Sequence, residues 1–98
     1  MTSKKGGGLS EVREPTAEDQ KLADQVKEDA VKKIGRNVST FKVVQVSTQV
    51  VAGTNYFLKV KVACDEFIHI RIYKDLKGKV ELSNVKDCQT KDSPLVHF

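Results

Sequence analysis

His69 and His97 are the only histidines of the 98-residue chain, and Cys64 and Cys88 its only cysteines, so nucleophilic or metal chemistry would have to be built on them. A thiol nucleophile needs a base within hydrogen-bond reach and a third group to orient that base. Five residues and a tight turn separate Cys64 from His69, which allows contact across adjacent strands. No third group is placed to hold the imidazole, however, and no glycine-rich elbow presents a serine. The pair reads better as a surface histidine and an inert thiol. As zinc ligands, Cys64, His69, Cys88 and His97 lack the close pairs that structural sites prefer. The three glycines at 6–8 follow no strand and precede no Gly-Lys-Ser/Thr, so they are not a phosphate loop. The expectation is a protein that is not an enzyme and holds neither metal nor cofactor.

Three segments are left without a structural reason. They are the glycine-containing arm "MTSKKGGGLSEV", the bend "STQVVAGTNYF" with Val50 and Val51 beside a glycine turn, and "DLKGK" at 75–79. Exposed apolar tips, with backbone made accessible by glycine, are what an interface anchor requires.

The elements that must position these segments follow from periodicity. "PTAEDQKLADQVKEDAVKKIG" reads as one helix: Thr16 as N-cap, Glu18 and Asp19 in the first turn, Lys32 and Lys33 in the last, Gly35 as stop. Leu22, Val26, Ala30 and Ile34, with Ala23 and Val31, give it one apolar face. From Phe41 the period becomes two, with "FKVVQVSTQ", "NYFLKVKVA", "EFIHIRIYKD" and "KVELSNV" as strands. Tyr56, Leu58, Val60 and Val62 share one face with Ile68, Ile70 and Ile72, while Phe57, Lys59, Lys61, His69 and Arg71 fall on the other, solvated face. The break at Val43 and Val44 predicts a bulge. Short connections make the strands antiparallel neighbours in a meander, which brings the Val50–Val51 bend and the 75–79 tip to the same edge. Cys64 and Cys88 then end two strands with a third between them, about 9 to 10 Å apart. A disulfide spans only about 7 Å, so both are expected as thiols.

Composition bounds the rest. The length suits a single domain, 1–98, with residues 1–8 as a flexible arm. The net charge of +4 is interleaved along the chain rather than gathered in a block, which predicts no nucleic-acid partner; weak binding of anionic polymers by Lys59, Lys61 and Arg71 is the most this face would do. No apolar run approaches the roughly 20 residues of a spanning helix, and no apolar segment follows the basic start, so the expectation is a soluble protein of the cytoplasm, without membrane contact.

"QVVAG" at 49–53, preceded by Thr48 and followed by "TNYFLKV", resembles the first binding hairpin of the cystatins. "GGLSE" at 7–11 before a helix is similar to the stefin branch, and the likeness extends through "LADQVKE", "FIHIRIYKDL", "LSN" and Phe98. The resemblance implies an α+β, cystatin-like fold: an antiparallel meander sheet of about five strands, the first drawn from residues 9–13, wrapped around one long N-terminal helix. It implies reversible, tight-binding inhibition of papain-like cysteine proteases of the cathepsin class. A wedge of arm and two hairpin tips would fill the active-site cleft. The matching positions are Gly7 in the arm, then Gln49, Val50, Val51, Ala52 and Gly53, then Leu76, Lys77 and Gly78 in the second tip. Lys77 stands where the branch usually has proline, and Lys5 and Gly6 where an apolar side chain often fills a protease pocket. A cystatin-fold interaction module without strong inhibition is the alternative. The active form would be a monomer, with a domain-swapped dimer accessible by opening the first hairpin.

Overall fold

The structure is a computed structural model that describes residues 10–96 and 98. One helix, α1 (Ala17–Ile34), precedes four strands, β1 (Lys42–Val51), β2 (Gly53–Ala63), β3 (Glu66–Lys74) and β4 (Val80–Gln89), paired antiparallel in sequence order.

The helix is closed at both ends by its own sequence. Thr16 Oγ1 accepts from the Asp19 amide, Asp19 Oδ2 accepts from the Thr16 amide, and Gly35 ends the helix at φ 76°. Such a reciprocal cap satisfies amides the helix itself leaves open. Asp19 is buried. Burial alone would raise its pKa, but hydrogen bonds from Arg13 and Thr16 outweigh it and hold the carboxyl below its ordinary range. The Arg13 guanidinium grips it with both terminal nitrogens, at 2.7 and 3.2 Å, and so ties the segment before the helix to the helix start.

Leu22, Ala23, Val26 and Ala30 pack on the inner sheet face against Val43, Val46, Leu58, Val60, Ile68, Ile70 and neighbours. The rows Val46↔Leu58 and Leu58↔Ile70 set the register, because a one-residue slip would turn each strand's apolar set to water. The expected bulge is present between Val43 and Gln45. Gln20 clamps that stretch from the helix, donating to the Phe41 carbonyl at 2.9 Å and accepting from the Val43 amide at 3.0 Å.

Two expectations are corrected. The anticipated fifth strand is reduced to a single bridge between Arg13 and Val46, with the Ser10 amide donating to the Thr48 carbonyl at 2.7 Å. Three residue steps from Arg13 to Ser10 face two from Val46 to Thr48, so a regular ladder cannot continue and the described residues form four strands. The outer face, read as solvated, is covered in part by the segment after β4. Lys59 Nζ donates to the main-chain oxygens of Lys91 and Ser93 at 2.6 and 2.7 Å, and Arg71 donates to a main-chain oxygen of Phe98 at 2.7 Å. The Phe98 ring meets Phe57 edge to face at 5.7 Å, and Leu95 is buried. Lys59 is 2% exposed, and burial lowers its pKa against the opposing charge of Asp92. Two of the three cations assigned to polymer binding are thus engaged within the fold.

His69 is corrected with them. It is 1% exposed, lies in register between Lys59 and Lys86, and sits 6.5 Å from the Phe98 ring; its Nε2 finds no hydrogen-bond partner among the described residues. Burial, reinforced by the Lys59 and Lys86 charges, lowers its pKa from 6.5 to about 4. The native state therefore binds the proton less readily than the unfolded chain. The stabilisation is complete above pH 6.5 and falls as the pH drops from 6.5 to about 4, below which this group adds no further slope. Thermal melts between pH 5 and 7 are expected to show Tm rising with pH in the wild type and a clearly flatter profile in His69→Gln. Parallel profiles would mean that His69 does not titrate differently on folding.

Candidate functional site

Among the described residues the chemistry-bearing side chains are not brought together, and His97 lies outside the described residues. His69 faces Lys59 across β2 and β3, five residues from Cys64 along β2, about 17 Å at strand rise. Cys64 and Cys88 carry free, exposed thiols. Burial, not catalysis, is what the strand provides for His69.

The edge at the β1–β2 turn is built differently. Val51 pairs with Gly53, leaving Ala52 alone at the apex, and Gln49 pairs with Asn55 below. Neighbouring strand residues point to opposite faces, so Val50 and Val51 make the tip apolar on both sides. Val50 is 73% exposed and Val51 43%. The second tip, between β3 and β4, projects Leu76, which is 83% exposed. These are three of the five large apolar side chains that are exposed among the described residues, and all three lie at this edge. Clustered exposure of that kind makes this edge the candidate contact surface.

The exposed side chains stand on a rigid base. Asn55 Nδ2 donates to Gln49 Oε1 at 2.8 Å, and both residues are buried. Gln49 is accordingly buried and braces the hairpin beneath the tip. Gly53 has φ 109°, and a Cβ there would lie 2.6 Å from the Lys74 carbonyl oxygen and 2.7 Å from the Tyr73 hydroxyl. Glycine is required twice over, by conformation and by space. The Tyr73 hydroxyl donates to the Ala52 carbonyl and ties the first turn to β3, at the root of the second tip. In the second tip, Asp75 Oδ1 accepts from the amides of Lys77 and Lys79 at 2.9 and 2.8 Å, while Gly78, at φ 92°, donates to the Asp75 carbonyl at 3.0 Å. Tyr73 and Asn55 had no place in the sequence reading. Only the cross-strand register brings them to the tips.

On the other flank of β1 lies the described start of the chain. Ser10 is fixed beside β1 by the Thr48 amide, which donates to its Oγ at 3.0 Å, and by Ser47 Oγ, which donates to its carbonyl at 2.7 Å. Arg13 bridges Val46 and Ser10 meets Thr48, so the described segment, followed from residue 13 back to residue 10, runs along β1 in the direction of the Val50 tip. Gly7 lies outside the described residues. The lateral order at the edge is then Ser10, first tip, second tip.

The described residues form a helix packed on a four-stranded meander sheet, with two braced tips at one edge. The cystatin-domain family profile matches residues 7–96, and the chain belongs to the cystatin family, whose members are inhibitors of cysteine proteases and not enzymes. Its relatives place it in the stefin branch. It is 44% identical over 94 residues to cystatin-A of Mus musculus, covering 94% of this chain and 97% of that one. It is 38% identical over 95 residues to cystatin-B of Homo sapiens, with 94% and 97% covered. With cystatin-A2 of Dictyostelium discoideum it shares 38% identity over 98 residues and the full length of both chains. No helix is long and apolar enough among the described residues to cross a membrane.

Proposed function

We propose that this protein is a reversible, tight-binding inhibitor of papain-like cysteine proteases, acting in the cytoplasm as a single domain and as a monomer. The observation that supports this most directly is the pair Val50 and Val51, exposed on a hairpin whose base is buried and hydrogen-bonded. Val50, Val51 and Ala52 enter the cleft over the catalytic cysteine, Gln49 and Gly53 hold their shape, and Leu76, Lys77 and Gly78 contact the cleft on one side. Gly7 takes the other side, where absence of a side chain lets the arm pass the catalytic residues.

The mechanism is steric. The wedge fills the cleft without placing a peptide carbonyl in line with the nucleophile, so no bond is cut and the complex dissociates into unchanged partners. An edge of this kind buries on the order of 1,600 Å² in total. Each fully buried valine contributes about 1.5 to 3 kcal/mol. Bracing by the Gln49–Asn55 and Tyr73–Ala52 contacts means that little conformational entropy is lost on docking, which favours affinity directly.

Titration of active-site-counted papain tests the reading. Linear loss of activity to an equivalence point near one inhibitor per enzyme is expected. Full activity at micromolar protein would refute inhibition and leave an interaction module on the cystatin fold.

A further inference from the structure

The two tips differ in charge. From Gln49 to Asn55 the first contains no ionisable side chain, whereas Lys74, Lys77 and Lys79 surround Leu76 at the second. Opposing them are Asp75, whose Oδ1 is turned onto the amides of Lys77 and Lys79, and Glu81, which faces Tyr73 one residue into β4. None of the three lysines forms an ion pair among the described residues. The loop that holds them is fixed by the same Asp75 contacts and by the backbone bond from the Asp75 amide to the Lys79 carbonyl at 2.9 Å.

We propose that the second tip selects among cysteine proteases by charge, favouring enzymes whose cleft rim on that side carries carboxylates. The inference rests on the inhibitory function proposed above and adds a determinant of target choice to it. Leu76 supplies the apolar contact of this tip; the lysines ring it at the periphery, where charges act chiefly on the encounter and less on the closed complex. A cationic, well-ordered rim raises the local concentration of a partner of opposite sign and slows one of like sign. At an ionic strength near 0.1 M the field reaches about 10 Å, far enough to act before contact and short enough to be removed by salt.

Stopped-flow association of the full chain with a papain-like protease and two rim variants of it tests this. One variant carries two added aspartates on the rim facing the second tip, the other two added lysines. At about 0.02 M salt the wild type is expected to associate at least about tenfold faster with the acidic rim than with the basic one. The double variant Lys77→Glu, Lys79→Glu reverses the order, at 0.5 M salt both differences shrink to less than about twofold, and dissociation rates move far less than association rates. Equal association with both rims, or a preference that survives high salt, would overturn charge selection while leaving inhibition intact. Absence of inhibition of all three enzymes would overturn the inhibitory function, and charge selection with it. Thermal melts of the double variant, expected to match the wild type, check that the fold is unchanged.

Discussion

Val50→Asp is expected to weaken papain inhibition by at least about a hundredfold and to leave the melting temperature within about 4 °C of the wild type. The first part follows from transfer energetics. Loss of one buried valine removes about 1.5 to 3 kcal/mol, and each 1.4 kcal/mol is about tenfold in Kd. An aspartate desolvated in the cleft without a partner adds a further cost. The second part follows from exposure: at 73% accessible, Val50 contributes little to the core, and surface changes of this kind stay within about 0.5 kcal/mol. For a domain of this length that corresponds to a shift of about 2 to 4 °C. Inhibition progress curves and a thermal melt of the same preparation decide the matter. Parallel loss of affinity and stability would show that the valine supports the fold instead of the interface.

Gly53→Ala is expected to behave differently, lowering stability and inhibition together. The left-handed conformation at φ 109° costs a side chain about 1 to 3 kcal/mol. The added methyl must also displace the Lys74 carbonyl or the Tyr73 ring, whose hydroxyl and Cε1 it would meet at 2.7 and 2.9 Å. Moving Tyr73 releases the Ala52 carbonyl and with it the alignment of the two tips. Gly78→Ala is the matched comparison, since it has φ 92° but nothing within 4 Å of the added carbon. It should cost only the conformational part. The check is Tm and dissociation rate for both variants; equal effects at the two positions would contradict the close packing at Gly53. Together with Val50→Asp, these variants separate residues that touch the target from residues that hold the tip in shape.

The helix and its ends were legible because capping is local: Thr16, Asp19 and Gly35 act within four residues of their partners. Strand identity, the bulge at Val43–Gln45 and the shared edge of the two tips were equally legible, since alternation and short turns suffice to place them. Of the candidate site, Val50, Val51 and Leu76 stood out as apolar residues at turns, and the structure exposes all three.

What the sequence could not decide was which polar residues are inside. Lys59, His69, Gln49 and Asn55 occupy positions that alternation assigns to the outer face, yet all four are buried. Lys59 and His69 are covered in part by residues after β4, a segment with neither a period of two nor one of 3.6, whose place depends on contacts such as Lys59 with Lys91 and Ser93 and His69 with Phe98. β4 itself runs to Gln89, four residues beyond the predicted strand, because register shifts opposite Phe67–His69 and Arg71–Ile72 obscure its alternation. The residues of the apolar tip were therefore determined by local sequence, through propensity, turn chemistry and pattern. How firmly that tip is held was decided by tertiary structure alone, because Asn55, Tyr73 and the Lys74 carbonyl reach Gln49, Ala52 and Gly53 only once the strands are in register.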